Sequence, residues 1–168
     1  MKLIIAEKPS VARDIARVLK CGERGDGFLR NGDYMVSWAV GHLVSLVEPD
    51  ELDERYKKWR MEDLPIEPDV IPTKVLPKTK SQFSILKKLM LSKDVDSLIC
   101  ATDAGREGEL IFRLIYEKAG CQKPVERLWI SSMTDDAIRE GFAALKPASE
   151  YDGLYRSAKA RSVADWLG

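Results

Sequence analysis

Apolar positions along the chain form short continuous runs that alternate with stretches of helical spacing. Strands are predicted at residues 3–6, 97–101 and 127–130, and the continuous apolar run at 3–6 is typical of a strand that is buried on both faces of a sheet. Apolar residues spaced three and four positions apart predict helices at residues 9–19, 81–91, 107–118, 134–142 and from 151 onward.

A hairpin and a proline-rich segment interrupt this alternation. Residues 27–39 predict two antiparallel strands joined by a turn at Asn31-Gly32. Five of the eight prolines fall between residues 49 and 77, which predicts an inserted hairpin or loop region at about residues 48–77. Strands that alternate with helices predict an α/β fold, with a Rossmann-like, mostly parallel sheet flanked by helices. Ligands of such sheets bind outside the carboxyl ends of the strands, so the polar residues after each strand are the candidate functional residues.

Length and composition indicate an ordinary globular protein. The chain has 168 residues, which suits one domain or one domain with part of a second. No apolar run approaches the roughly 20 residues that cross a bilayer, and the apolar N-terminal run is too short for a signal peptide. Three cysteines without a CxxC motif favour reduced thiols, so we expect a cytoplasmic protein with no membrane partner.

The net charge is zero, but the charges are unevenly distributed. The chain has 27 Lys and Arg residues against 27 Asp and Glu residues, which counts against a strongly basic nucleic-acid binder. Residues 48–69 nevertheless carry nine acids against four bases, and residues 73–93 carry six lysines and no acid. This uneven distribution of charge is more informative about binding partners than the net charge is. The lysine-rich segment is either a solvated face or a surface that meets DNA or a neighbouring domain.

Carboxylates follow two of the predicted strands. Glu7 comes after the first strand, Asp103 after the strand at residues 97–101, and Glu107 one helical turn later. If the two strands are neighbours, these carboxylates converge and repel one another unless a cation or protons intervene. Oxygen ligands of this kind suit Mg²⁺. Lys8 and Arg106 flank the site and could hold a phosphate or a developing oxyanion.

Simpler interpretations of these residues remain open. Glu107 and Glu109 could be acids favoured by the dipole of a helix N-terminus, and Glu7 could be an ordinary surface residue. His42, the only histidine, is interpreted as a hydrogen-bonded structural residue. Trp59 lies between two basic residues and could stack on a nucleic-acid base, or it could anchor the insertion.

Several segments taken together resemble the N-terminal Toprim domain of bacterial type IA DNA topoisomerases that belong to the topoisomerase III family. The matching segments are AEKPS at 6–10, WAVGHL at 38–43, WRMEDLP at 59–65, ATDAGREGEL at 101–110, RLWISS at 127–132 and YRSAKARSVADWLG at 155–168. The resemblance implies a Toprim domain at residues 1–148 and the start of the next topoisomerase domain at residues 149–168.

The resemblance also implies a metal site. Toprim domains bind Mg²⁺ through a glutamate after the first strand and a DxD pattern after a later one. Glu7 matches the glutamate, Asp103 matches the first aspartate, and Glu107 matches an acid that often follows the pair. Gly105 stands where the second aspartate would be, which puts a two-metal arrangement in doubt.

The implied activity is cleavage, strand passage and religation of single-stranded DNA. A tyrosine of a later domain, beyond Gly168, would form a 5′-phosphotyrosyl bond and free a 3′-hydroxyl. Glu7 would act as general acid or base at the 3′-oxygen, and Lys8 would neutralise the scissile phosphate, with Arg106 as a further contact. We expect this chain to be a fragment that is inactive without the remaining topoisomerase domains, within a nucleoid-associated bacterial enzyme.

Contacts to single-stranded DNA are predicted at four positions. Lys8 is predicted to lie at the scissile phosphate. Trp59 and Arg60 provide an aromatic ring next to a positive charge, and Arg161 lies on a last helix that the resemblance places along the single-strand groove.

Three other functions remain possible. The chain could belong to a DnaG-type primase, to a Toprim nuclease, or to a non-catalytic α/β binding module whose acids merely cap helices. A primase would lack the matches at residues 59–65 and 155–168, and these two segments favour a topoisomerase.

Overall fold

The computed structural model describes residues 1–46 and 73–167. The strands are β1 Lys2–Ala6, β2 Glu23–Gly25, β3 Phe28–Arg30, β4 Tyr34–Trp38, β5 Val44–Leu46, β6 Thr73–Val75, β7 Ser97–Ala101, β8 Val125–Arg127 and β9 Lys146–Pro147. The α-helices are α1 Pro9–Leu19, α2 Lys80–Met90, α3 Arg106–Ala119, α4 Asp135–Ala143 and α5 Asp152–Leu167. Short 3₁₀ turns at Pro77–Thr79 and Ala148–Tyr151 precede α2 and α5.

The main sheet has a parallel centre and antiparallel edges. Its strand order over the described residues is β2-β3-β4-β1-β7-β8-β9. Strand β1 runs parallel to both β4 and β7, and β7 runs parallel to β8. Strands β2, β3 and β9 add antiparallel pairs at the two edges. The predicted α/β fold with a mostly parallel central sheet flanked by helices is therefore confirmed.

Each face of the sheet is covered by its own hydrophobic cluster. Leu3 and Ile5 pack into a cluster with buried residues of α2, α3 and α5, whereas Ile4 and Ala6 pack into one with buried residues of α1 and α4. Successive side chains of a strand point to opposite faces. The run at residues 3–6 is continuously apolar because both faces of β1 are buried.

The predicted helices all form, with bounds that differ by about a residue from the expected ones. The Thr134 side chain caps α4, because its Oγ1 accepts a hydrogen bond from the Ala137 N–H at 3.2 Å. The predicted hairpin also forms, between β3 and β4. Asn31 stabilises its turn through Oδ1, which accepts hydrogen bonds from the backbone N–H groups of Asp33 and Tyr34.

The strand predicted at residues 127–130 was wrong in its bounds, because β8 spans Val125–Arg127. The apolar residues that suggested the longer strand pack in two different ways. Leu128 is buried and Ile130 half-buried in the cluster that includes α4, while Trp129 stacks on Tyr151 with ring centroids 4.9 Å apart. The apolar side chains at 128–130 are thus explained by their packing contacts, although the Leu128 N–H still donates to the Cys100 carbonyl oxygen at 2.9 Å.

The predicted insertion at about residues 48–77 lies mostly outside the described residues. Its described part begins with β6, which pairs antiparallel with β5 in a small second sheet, and continues into the 3₁₀ turn at Pro77–Thr79. Sequence reasoning did not predict this strand pair. No α-helix within residues 1–46 and 73–167 combines the length and the apolar character needed to span a membrane.

Candidate metal centre

Glu7 and Asp103 leave the sheet at the same edge because β1 and β7 are parallel neighbours. Ala6 is paired with Ala101, and each strand ends at that residue. The backbone N–H of Asp103 donates a hydrogen bond to Glu7 Oε1 at 3.2 Å. The structure thus brings together two of the three carboxylates that were predicted to meet at this edge, and we call them the carboxylate pair.

Within the carboxylate pair, Glu7 is buried and Asp103 is exposed. Burial raises the pKa of the Glu7 carboxyl above its ordinary range. The hydrogen bond from the Asp103 N–H lowers this pKa, the nearby Asp103 carboxylate raises it, and the charge of Lys8 lowers it. The net direction is upward, so Glu7 retains a proton to higher pH than a free glutamate does.

Glu107 contacts a histidine. Its carboxylate forms a hydrogen bond with His42 Nε2, and its side chain is 70% exposed on the first turn of α3. The chain before His42 is held at this edge because the Gly41 N–H donates to the Glu7 carbonyl oxygen at 3.3 Å. His42 is thus hydrogen-bonded, as predicted, and its partner is a predicted metal ligand.

The predicted cationic residues lie on different elements. Lys8 is exposed between β1 and α1, and Arg106 is exposed as the first residue of α3. Both follow closely on the carboxylate pair along the chain. Arg161 is exposed on α5, and Trp59 and Arg60 lie outside the described residues.

The backbone of Gly105 explains why glycine stands where a second aspartate was expected. Its φ is 149° and its ψ is 176°, a conformation that is open essentially to glycine alone. An aspartate at this position would strain the backbone or displace the turn that carries Asp103. The conformation of this turn therefore favours glycine over a third carboxylate.

We expect Gly105→Asp to lower the free energy of unfolding by about 1–3 kcal/mol. A Cβ at Gly105 meets no atom within 4 Å, so backbone strain rather than a steric clash causes the loss. Urea denaturation measures it. Gly22→Asp is the matched control, because a Cβ there is also unobstructed and Gly22 lacks the strained φ; its effect should stay within about 0.5 kcal/mol. Equal stability of the two variants would contradict the backbone explanation.

Two close contacts hold the start of α3 against the turn that carries Asp103. Thr102 Oγ1 donates a hydrogen bond to the Gly108 carbonyl oxygen at 2.7 Å. A Cβ on Gly108 would overlap the Asp103 carbonyl oxygen and lie 2.8 Å from the Asp103 carbonyl carbon. Glycine at 108 is therefore required by the approach of two backbone segments.

A buried ion pair close to the carboxylate pair was missed by sequence reasoning. Arg127 Nε lies 2.9 Å from Glu109 Oε1, and the two side chains are 0% and 1% exposed. Within the described part of the chain, neither atom has a hydrogen-bond partner of good geometry, so the contact is an ion pair and not a linear hydrogen bond. The available signal was an arginine at the start of a predicted strand, directly before the apolar residues 128–130, since a buried charge requires a partner.

The carboxylate pair suits Mg²⁺. This ion is bound in proteins through one or two carboxylates and keeps several waters, and a cation relieves the repulsion between two adjacent carboxylates. Among residues 1–46 and 73–167, no group of three or more His, Cys, Asp or Glu side chains is placed to hold a metal ion. The geometry thus offers two carboxylates, and Glu107 as a third ligand stays a prediction.

Comparison with known families identifies a match over most of the chain. The family model for the Toprim domain matches residues 2–133. The chain is 57% identical over 164 residues to DNA topoisomerase 3 of Bacillus anthracis, a match that covers 98% of this chain and 22% of that protein. It is 52% identical over 165 residues to DNA topoisomerase 3 of Bacillus subtilis (strain 168), covering 98% of this chain and 23% of that protein.

A solved structure supports the fold. Full-length topoisomerase I from Thermotoga maritima superimposes with a TM-score of 0.67 at 21% sequence identity, covering 98% of this chain and 24% of that chain. This chain therefore spans less than a quarter of the length of the relatives to which it is similar.

Proposed function

This chain belongs to the Toprim domain family, and we propose that it supplies the metal-binding part of the active site of a type IA DNA topoisomerase of the topoisomerase III kind. The observation that carries the proposal is the carboxylate pair. Glu7 and Asp103 come from two separate strands, and the parallel pairing of β1 with β7 places them in contact. Their position outside the carboxyl ends of the strands is where such sheets bind ligands.

The carboxylate pair would hold Mg²⁺, with Glu107 as a supporting acid. When bound, the ion supplies charge stabilisation at a phosphate and orients it. Glu107 has a competing partner in His42, which argues for a secondary role. The turn between β7 and α3 carries Asp103, and the hydrogen bond from Thr102 Oγ1 to the Gly108 carbonyl oxygen links the two ends of this turn.

Glu7 would give and take the proton of a DNA 3′-oxygen during cleavage and religation. A carboxyl group at this position can donate a proton to the leaving 3′-oxygen and accept it back during religation. Lys8 would contact the scissile phosphate, and Arg106 would add a second positive charge. Trp59, Arg60 and Arg161 are proposed as contacts to single-stranded DNA outside the reacting centre.

The tyrosine that attacks the DNA would be supplied from outside this chain, by the remaining topoisomerase domains. The complete enzyme would cleave single-stranded DNA through a 5′-phosphotyrosyl bond, pass a second strand and religate the first. We propose a bacterial cytoplasm, at the nucleoid, as its location. A full-length enzyme tests this assignment: Glu7→Gln should abolish relaxation of supercoiled DNA, whereas synthesis of a primer by the enzyme would contradict it.

Metal binding can be measured on the 168-residue chain itself. We expect Mn²⁺, followed by electron paramagnetic resonance, to bind the unaltered chain and to bind Glu7→Gln and Asp103→Asn about 10-fold to 100-fold more weakly. Each variant removes a ligand charge, and loss even of an outer partner of a metal site costs a factor in this range. Glu107→Gln should have a smaller effect because Glu107 is exposed and pairs with His42.

Glu140→Gln is the matched control for these variants. It removes one exposed carboxylate from α4 and should leave Mn²⁺ affinity unchanged. A uniform loss in all four variants would indicate non-specific attraction to negative charge. Relaxation of supercoiled DNA by this chain alone would contradict the proposal that the tyrosine lies elsewhere.

A further inference from the structure

We propose that Arg127 is a positioning residue for the metal centre and that Glu109, Arg113 and Asp152 hold it in place, so that metal affinity depends on the start of α5. The inference rests on the proposed function of the carboxylate pair. It concerns residues that touch neither the metal nor DNA in that proposal.

The first step is the contact between Arg127 and the turn that carries Asp103. Arg127 Nη1 donates a hydrogen bond to the Thr102 carbonyl oxygen at 2.6 Å, and Nη2 donates to the Asp103 carbonyl oxygen at 2.8 Å. Both acceptors lie at the point where β7 has ended and the chain turns into α3. One rigid guanidinium thus fixes two successive peptide groups of the turn.

The second step is the hold on Arg127 itself. The side chain is fully buried, and its charge is balanced by Glu109, whose Oε1 lies 2.9 Å from Arg127 Nε. The Arg127 guanidinium also packs on the Trp129 ring, with the guanidinium carbon 5.0 Å from the ring centroid. Because an unpaired buried charge is costly, Arg127 and Glu109 have few alternative arrangements.

The third step leads from Glu109 to the segment that follows the matched Toprim region, residues 2–133. Arg113 Nε donates to Glu109 Oε2 at 3.2 Å, and Arg113 Nη1 donates to Asp152 Oδ1 at 2.7 Å. Arg113 Nη2 also donates to the Ala148 carbonyl oxygen at 2.7 Å. Arg113 therefore joins the buried ion pair to the first residue of α5.

These contacts form one continuous chain of charged groups, which we call the charged relay: Asp152, Arg113, Glu109 and Arg127. The relay ends on the backbone of Asp103, the exposed member of the carboxylate pair. Outer partners of this kind orient metal ligands, and their loss commonly weakens metal binding. A shift at the start of α5 would reach Asp103 through side chains in direct contact, without any other change in the sheet.

Mn²⁺ titration of the 168-residue chain tests the inference. Arg127→Lys keeps the charge but loses the planar fork that spans two carbonyl oxygens, and we expect about 10-fold or greater loss of Mn²⁺ affinity. Glu109→Gln removes the charge that holds Arg127 and should give a similar loss. Asp152→Asn, at a 45% exposed carboxylate, should retain the fold and weaken Mn²⁺ binding by a smaller, measurable factor of about 2 to 5.

Controls separate positioning from general loss of stability. Leu86→Ala removes a fully buried side chain of α2 that has no part in the relay, and it should lower stability without changing Mn²⁺ affinity. The double variant Asp152→Asn with Glu109→Gln should lose less Mn²⁺ affinity than the product of the two single fold-losses, because both substitutions act through the same contacts. Independent, multiplying effects would overturn the relay.

The outcomes distinguish this inference from the proposed function. If the unaltered chain does not bind Mn²⁺, the metal centre itself is disproved and the positioning role falls with it. If the unaltered chain binds and folded Arg127→Lys binds equally well, only the positioning role is overturned. Should Arg127→Lys fail to fold, Glu109→Gln and Asp152→Asn decide in its place, and unchanged affinity in both overturns the inference.

Discussion

Replacing Arg127 by alanine is expected to lower the free energy of unfolding by about 3–5 kcal/mol. The substitution removes the positive charge 2.9 Å from Glu109, a carboxylate with 1% exposure. Removing one partner of a buried ion pair costs much more free energy than the intact pair contributes, because the other charge remains buried. The Thr102 and Asp103 carbonyl oxygens lose their Arg127 donors as well, which adds the cost of unpaired polar groups.

Arg139→Ala is the control for this substitution. Arg139 forms an ion pair with Asp136 on α4, and their side chains are 61% and 90% exposed. Exposed pairs contribute at most about 1 kcal/mol, so this variant should unfold close to the unaltered chain. Urea denaturation followed by circular dichroism gives both values. A loss for Arg127→Ala no larger than that for Arg139→Ala would contradict the burial of a charged pair.

A double variant that removes both charges of the buried ion pair tests the same explanation. Arg127→Met combined with Glu109→Leu removes both charges and keeps side chains of similar size. Apolar replacement of a whole buried pair is often neutral or stabilising. We therefore expect this double variant to regain much of the stability lost in Arg127→Ala, although the Thr102 and Asp103 carbonyl oxygens remain without these donors.

The general fold was predictable because it follows from local patterns. The apolar run at residues 3–6 and the helical spacing of α1 to α5 specify element types that the tertiary structure preserves. The strand order was not predictable in the same way. That β1 lies between β4 and β7 depends on pairing among distant segments, and it is the pairing of β1 with β7 that brings Glu7 to Asp103.

The functional residues likewise divide into those that local patterns predict and those that depend on long-range pairing. Glu7 and Asp103 were found because polar residues after buried strands have a position that topology rules can anticipate. Glu109 was not found, since an acid in the first turn of a helix has the same local pattern whether it is exposed or buried. The difference lies in Arg127, which β8 brings alongside from 18 positions later in the chain. Long-range pairing of this kind leaves no periodic signal.

Gly108→Ala is expected to damage the metal centre and the fold together. A single added methyl group would overlap the Asp103 carbonyl oxygen and lie 3.0 Å from the Asp103 nitrogen. These are backbone atoms and cannot move aside as the end of a flexible side chain can. Overpacking of this kind typically costs about 1–3 kcal/mol and occasionally more, and we expect the upper end or beyond for Gly108→Ala.

The loss should extend to metal binding because the displaced atoms belong to Asp103. The Thr102 hydroxyl donates to the Gly108 carbonyl oxygen and Arg127 donates to the Asp103 carbonyl oxygen, so the turn cannot shift without breaking one of these bonds. We expect Mn²⁺ affinity to fall by about 10-fold or more. Titration and urea denaturation of the same variant measure the two effects.

Gly153→Ala makes the same chemical change where there is room for it. A Cβ at Gly153 on α5 meets no atom within 4 Å, so the added methyl group should be neutral or stabilise the chain by up to about 1 kcal/mol. Its Mn²⁺ affinity should be unchanged, because the Asp152 carboxylate that Arg113 contacts is retained. If Gly108→Ala behaved like Gly153→Ala in both measurements, the close approach of α3 to Asp103 would be disproved, and with it the reason for glycine at position 108.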